Sequence, residues 1–221
     1  MRRMLLRIVL LAGVAGCFAV LGRVVSAQVR QRADAIASSI ASGAQGLYES
    51  GRRDDARAIL EEALQQVPDS LVLRRELAMQ LVASGRTDAA IEQLRLVLNS
   101  SPSDAEAARK LGELLLLKGD PRAAADWLRK ASDLQPYNAM NYVALSGALL
   151  QAGDAASALL AGERAVHLGP KVPQAHLDLG LARWRTNDLP AARQSLSRAL
   201  ELDPANAAAR RALADLEQRS G

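Results

Sequence analysis

Aromatic residues are scarce in this chain of 221 residues, which has two Trp, three Tyr and one Phe. Its apolar content is mostly Ala, Leu and Val, a composition that favours helices packed closely on small residues over a β-rich core. The length suits one or two compact domains or a single array of repeats. The composition therefore predicts an all-α protein.

Residues that carry catalysis or hold metals are also scarce. The single cysteine, Cys17, excludes an internal disulfide, and it lies in an apolar stretch where no catalytic thiol is expected. The two histidines, His167 and His176, are accompanied by neither Cys nor an HExxH motif. The sequence has no glycine-rich phosphate loop and no nucleophile elbow, and its acidic residues are spread singly. We therefore predict no enzyme activity, no metal and no cofactor.

The surplus of positive charge is confined to the N-terminus. The net charge is +4, but residues 1–36 contain six Arg and one Asp, whereas the remainder has 22 basic and 23 acidic residues. A body with balanced charge lacks the basic surface that binds polyanions, so nucleic acid is not an expected partner.

Residues 1–27 combine an arginine-rich start with an uncharged apolar run, Ile8–Gly22. Three interpretations remain open: an uncleaved membrane anchor, a secretory signal peptide cut after Ala27, and a lipoprotein signal in which Cys17 of Val-Ala-Gly-Cys is lipidated. Extended on both sides to about 22 residues, the run would form a helix of about 33 Å, long enough to cross a bilayer. We favour the anchor, because Arg23 disfavours a cut after Ala27, and because the residues that follow Cys17 are apolar, unlike the polar tether of a mature lipoprotein.

The arginines that precede the apolar run favour a cytoplasmic start and a body on the other side of the membrane. The Arg- and Ala-rich, Lys-poor composition indicates a bacterium. The expected location is therefore a bacterial inner membrane with the body in the periplasm. A secreted or periplasmic protein and a lipoprotein are the alternatives.

The rest of the chain repeats every 34 residues. Prolines at this interval each follow an apolar-striped run, and each would end a helix, because proline lacks an N–H and disfavours helical geometry in the residue before it. They are Pro68, Pro102, Pro136, Pro170 and Pro204. With these prolines at position 32, position 20 is always alanine, and position 15 is Gly51, Gly85, Gly119, Gly153 and Asn187.

Each repeated position has a physical reason. Small residues at positions 8, 20 and 27 allow two helices to approach closely, and leucines at positions 7 and 24 fill the layer between them. A first helix that ends at position 15 needs a left-handed residue, which Gly and Asn tolerate best. Gly162 is the exception to leucine at position 24, and we expect it to leave a void.

This pattern resembles the tetratricopeptide repeat, most clearly in LDLGLARWRTNDLPAARQSLSRALELDP, residues 177–204. The resemblance covers residues 37–219 and implies an α-solenoid of tandem 34-residue helix-turn-helix repeats. It divides the chain into an N-terminal signal or anchor (1–27), a linker or start of the first helix (28–36), five repeats (37–70, 71–104, 105–138, 139–172 and 173–206) and a C-terminal capping helix (207–221).

In the resembled family, positions 2, 5, 9 and 12 of the first helices line a concave groove that binds protein. The resemblance implies that the groove of this chain is lined by Arg75, Met79, Arg109, Leu116, Val143, Leu150, Leu177, Leu181 and Trp184. We predict that Trp184 is the anchor, because tryptophan offers a large apolar face at small entropic cost. Two alternatives remain: the apolar side chains pack against neighbouring second helices, and Trp184 packs under the capping helix around Leu213 and Leu216.

The residues and the resemblance together predict a non-enzymatic scaffold for protein–protein interactions, anchored in a membrane or exported. We expect it to support assembly of a bacterial envelope complex, such as a secretion system, a pilus, a polysaccharide machine or a cytochrome maturation complex. The alternative is an accessory subunit that recruits a substrate protein for an enzyme complex. The expected partners are proteins at the groove and the membrane at the N-terminal segment, and no oligomeric state is predicted.

Overall fold

A computed structural model describes residues 28–29 and 31–220. The regular structure of these residues is eleven helices with no strand, which confirms the predicted all-α fold, and none of the helices is both long and apolar enough to span a membrane. The predicted anchor or signal, residues 1–27, lies outside the described residues.

The helices have the following bounds. Helix α1 covers 31–49, followed by α2 (Arg53–Gln66), α3 (Leu71–Ala83), α4 (Thr87–Ser100), α5 (Ala105–Leu117), α6 (Pro121–Leu134), α7 (Ala139–Ala152), α8 (Ala155–Leu168), α9 (Pro173–Arg185), α10 (Leu189–Leu202) and α11 (Ala207–Ser220).

A left-handed residue ends the first helix of every repeat, as the sequence predicts. The four glycines at position 15 have φ between 73° and 87°, and Asn187 has a φ of 66°. This conformation is strained for most residues with a Cβ, whereas Gly and Asn adopt it readily. After Gly153, the amide of Asp154 donates to the carbonyl of Leu149 over 2.9 Å and closes the end of α7.

Polar side chains cap the start of most first helices. The carboxylate of Asp104 accepts a hydrogen bond from the amide of Ala107, and the side chain of Asn138 accepts one from Met140. Helix α9 has no such cap, and it begins instead with Pro173 in its first turn, where proline loses no intrahelical bond.

Contacts divide the chain into two compact units, one that ends at Ser84 and one that begins at Gly85. In the first unit, α2 packs against α3. In the second unit, the two helices of each repeat pair as α5 with α6, α7 with α8 and α9 with α10. Helix α4 packs against α5, and successive repeats join where α6 meets α7 and α8 meets α9.

The first helices of the second unit also contact one another directly. Helix α5 contacts α7, α7 contacts α9, and α9 contacts α11. The second helices α6, α8 and α10 make no contact of similar extent with each other within this unit. We call α5, α7, α9 and α11 the first-helix layer. It presents one continuous surface, on which the candidate site lies.

Small residues set the spacing of helices within a repeat. The five alanines at position 20 are completely buried. Gly180 faces Leu196 so closely that a Cβ at position 180 would lie 2.8 Å from the leucine Cγ. Because real Cβ atoms essentially never approach this closely, only glycine allows α9 and α10 to pack at this distance.

Gly162 leaves no void, so the expectation for position 24 of the fourth repeat was wrong. A Cβ at Gly162 would lie 3.2 Å from the Cα of Leu179 and 3.3 Å from Oγ of Ser146. The backbone of α9 itself occupies the space that a leucine side chain fills in the other repeats.

Helix α11 closes the second unit. Asn206 caps its start, accepting a hydrogen bond from the amide of Ala209 over 3.0 Å. Its apolar side, which includes Ala212 and Leu216, is buried in one cluster with Leu177 and Leu196. The last repeat therefore shields its apolar face with a helix whose other side is polar.

Candidate protein-binding face

Three of the nine predicted groove residues lie in the interior. Val143, Leu150 and Leu177 are each exposed by 6% or less. Val143 packs with Ala165 of α8, and Leu177 packs with residues of α10 and α11. These side chains hold neighbouring helices together and offer no surface to a partner, which agrees with the alternative that they pack against second helices.

Leu181 and Trp184 are half-buried on α9. Both pack against the cluster that contains Leu216 of α11, and Leu213 packs against the same cluster. Trp184 therefore packs against a cluster to which the capping helix contributes, which agrees with the alternative that this residue serves the packing of the last repeat. Part of the indole surface contributes to the packing of the last repeat. The face of Trp184 that remains for a partner is therefore smaller than that of a fully exposed tryptophan.

Charge on α5 is largely compensated within the helix. Arg109 forms an ion pair with Glu113, and Nζ of Lys110 lies 3.1 Å from the same carboxylate. Leu116 is half-buried, whereas the next residue, Leu117, is 75% exposed. This part of the first-helix layer combines a mixed-charge cluster with one fully presented apolar side chain.

Arg75 and Met79 belong to the first compact unit. Both lie on α3, where Arg75 is half-buried and Met79 is 45% exposed. They face the same side of this helix, since residues four apart on an α-helix are neighbours. Met79 is the more accessible of the two as a contact for a partner.

The most exposed aromatic side chain of the described region lies at the start of α7. Tyr137 is 82% exposed and Met140 is 52% exposed. Together with Pro136 and Val172 they line a surface recess of about 610 Å³. Met140 occupies position 2, one of the groove positions, so the recess lies at one end of the first-helix layer.

Asp178 is a buried carboxylate that the sequence did not reveal. Its side chain is on α9 at the contact with α7, and the residue is only 4% exposed. Nε2 of Gln174 donates to its Oδ1 over 2.8 Å. Burial raises the pKa of Asp178 to about 7, and the hydrogen bond from Gln174 opposes this shift. The position alone carries no signal, because the charged residues at the same position of the second and third repeats, Glu76 and Lys110, are only half-buried.

The two histidines lie in different surroundings. Nε2 of His176 is hydrogen-bonded to the carbonyl oxygen of Pro170 at 2.9 Å, while His167 is exposed on α8. Within residues 28–29 and 31–220, no group of three or more His, Cys, Asp or Glu side chains could hold a metal ion.

Family models for the tetratricopeptide repeat match residues 47–114 and 177–221, which together make up just over half of the chain. The chain belongs to the tetratricopeptide-repeat family. No curated protein matches it significantly in sequence.

Solved tetratricopeptide-repeat structures share the fold. The crystal structure of MamA protein is 23% identical with a TM-score of 0.69, over 78% of this chain and 92% of that one. YrrB, a tetratricopeptide-repeat protein with an unusual peptide-binding site, is 17% identical with a TM-score of 0.70, over 78% and 89%. PilF of Pseudomonas aeruginosa is 20% identical with a TM-score of 0.69, over 85% and 91%. At these identities the likeness concerns the fold alone.

The accessible part of the candidate face in this tetratricopeptide-repeat protein differs from the predicted groove. It consists of exposed side chains near the ends of the first helices, chiefly Leu117, Tyr137 and Met140. In the middle of the layer, Leu150, Leu177 and the carboxylate of Asp178 are buried. Exposed apolar side chains of this kind suit the surface to contact with another molecule.

Proposed function

We propose that this protein is a non-enzymatic scaffold that binds a partner protein on its first-helix layer. Tetratricopeptide repeats serve typically as scaffolds for protein–protein interactions. The observation that carries the proposal is the exposed apolar surface around Met140 and Tyr137, because apolar recesses on a folded surface mark sites of interaction. The peptide-binding site of YrrB supports the same use of the fold.

We further propose that residues 1–27 hold the scaffold at a bacterial inner membrane with the repeats in the periplasm, where it supports assembly of an envelope complex. Support comes from the arginines before the apolar run and from the length of that run. An accessory role, in which the repeats recruit a substrate protein to an enzyme, is the second candidate. The identity of the captured partner separates the two.

Substitution of Met140 by glutamate is expected to abolish partner capture without a change in stability. A charge at this exposed position disrupts an apolar interface, and the folded chain can solvate it freely. The measurement is affinity purification of the full chain from its membranes, with partners quantified by mass spectrometry. Leu160→Glu is the matched control, because Leu160 is 69% exposed on a second helix, α8, away from the first-helix layer. Equal partner recovery from both variants would contradict the proposal.

If residues 1–27 form an uncleaved membrane anchor, we expect a protein of full-length mass in the membrane fraction. Deletion of residues 2–26 is expected to release a soluble body, because the apolar run would be lost. Mass spectrometry of the mature chain separates the alternatives, since a cleaved signal leaves Gln28 first and a lipoprotein begins at a lipidated Cys17. A Cys17→Ser variant that still fractionates with membranes is the result expected for the anchor, and its release into the soluble fraction would indicate lipidation instead.

A further inference from the structure

Asp178 differs in burial and in pairing from the acidic side chains of the described region that form ion pairs. The ion pairs of this region lie on helix surfaces and involve half-buried or exposed side chains. Asp178 is 4% exposed, and no basic side chain among the described residues lies within 4.0 Å of its carboxylate. A buried carboxylate without a counter-charge is unfavourable when ionised, so a cation that reached it would relieve this cost.

One oxygen of this carboxylate is directed at a gap in the neighbouring helix. Oδ1 accepts the hydrogen bond from Gln174, whereas Oδ2 lies 3.8 Å from the place that a Cβ would take at Gly147. Gly147 is on α7 at position 9, which is a groove position of the repeat, and it is half-buried. No other neighbouring atom lies within 4 Å of that Cβ position, so the missing side chain leaves space beside Oδ2. We call Asp178, Gln174 and Gly147 the Asp178 recess.

Among the described residues of α7 and α9, no charged group is placed to neutralise this carboxylate. Helix α7 has no ionisable side chain except Tyr142, which stacks with Arg164 of α8. On α9, His176 and Arg183 lie on the opposite side of the helix, since Arg183 donates to Ser195 of α10 and faces Glu163 of α8.

Three further cations on α9 and its neighbouring helices are engaged elsewhere. Arg185 is two turns from Asp178 along α9, and its guanidinium donates to the carbonyl of Leu150. On α10, Arg198 is paired with Glu201, and on α11 Arg210 donates to the carbonyl of Pro204. Since none of these cations pairs with Asp178, its carboxylate is available to a cation that a partner brings.

We propose that the Asp178 recess receives a lysine or arginine side chain of the partner protein. This inference rests on the proposed function, and it adds the chemistry that the partner must carry. A cation that enters beside Gly147 reaches Oδ2 in a water-poor setting, where an ion pair is strong and a neutral or acidic side chain is rejected. The aliphatic stem of either residue would lie along Leu181, one turn from Asp178 on the same side of α9.

The test is NMR of the full chain with carbon-13-labelled aspartate. The probes are three blocked amino acids, Nα-acetyl N-methylamides of arginine, lysine and norleucine, and the resonance of Asp178 is identified by its loss in Asp178→Asn. Arginine and lysine probes are expected to lower the pKa of Asp178 by about one unit at ten times their Kd, because they bind only the ionised form. The norleucine probe should leave the pKa unchanged. Absence of a shift with both cations, or an equal shift at the exposed Asp133, would overturn the inference.

Gly147→Ala provides the second variant. A methyl group fits, since its only neighbour within 4 Å is Oδ2 itself, but it covers the opening of the recess. We expect loss of the probe-induced shift in this variant, and an unchanged shift in Gly46→Ala, where a Cβ has no neighbour within 4 Å. A shift that persists in Gly147→Ala would mean that the cation does not enter at Gly147.

The same variants separate this inference from the scaffold function. If Met140→Glu abolishes partner capture and Asp178→Asn leaves it unchanged, the scaffold stands and the recess is not used by the partner. If the probes shift Asp178 and no partner is captured by the unaltered chain, the recess stands and the proposed function fails.

Discussion

Asp178→Asn is expected to stabilise the fold at about pH 8 and to have little effect at about pH 3.5. Burial raises the pKa of Asp178 to about 7 in the folded protein, from the usual value of 3.8. Between these values the unfolded chain has lost its proton while the folded chain still holds it, so the free energy of unfolding falls as the pH rises through this window. Below the window both states are protonated. Above it the folded state carries the full penalty of a buried charge.

The size of the effect follows from the pKa difference. About 3 units correspond to about 4 kcal/mol, which is the largest gain that asparagine could bring once the carboxylate is ionised. Asparagine keeps the shape of the side chain and remains a hydrogen-bond partner for Gln174, so no cavity offsets the gain.

Urea unfolding of both proteins across this pH range measures the difference directly, because contributions of all other groups cancel between them. Asp133→Asn, at an exposed position of α6, is the control and should change stability little at any pH. A stability difference for Asp178→Asn that does not vary with pH would contradict the assignment of a buried carboxylate.

Gly162→Leu is expected to destabilise the protein, although it restores the leucine that the other repeats have at this position. A Cβ at Gly162 already lies 3.2 Å from the Cα of Leu179 and 3.4 Å from its Cβ. Neither the backbone of α9 nor Ser146, whose hydroxyl donates to the carbonyl of Ala158, can move far. Overpacking of this kind costs about 1–3 kcal/mol, and the rest of a leucine side chain adds to the strain of the Cβ.

Thermal unfolding followed by circular dichroism would show the loss as a lower midpoint. Gly162→Ala should lose less, because its methyl group requires shifts of only a few tenths of an ångström. Ala156→Leu places the same leucine on an exposed position of α8 and should leave the midpoint near that of the unaltered chain. A more stable Gly162→Leu variant would show that α8 and α9 leave a void between them after all.

Local structure was encoded within a few residues and could be read from the sequence. The left-handed residues Gly153 and Asn187 and the cap at Asp104 each act over about one helical turn. Their recurrence every 34 residues therefore indicates the helix pairs and their boundaries. The same period identified the tetratricopeptide repeat. The sequence likewise determined that the second helices bury alanine at position 20, because that position faces its own partner helix in every repeat.

Accessibility was decided only by the tertiary structure, because it depends on helices that come from other repeats. Position 5 is half-buried at Arg109 and buried at Val143 and Leu177, since α8, α10 and α11 cover the last two. Asp178 is buried because α7 approaches it at a glycine, and Gly162 is packed because the backbone of α9 fills its space. A repeat pattern specifies which residues face a neighbour, whereas the distance of closest approach between helices determines whether a partner can reach them.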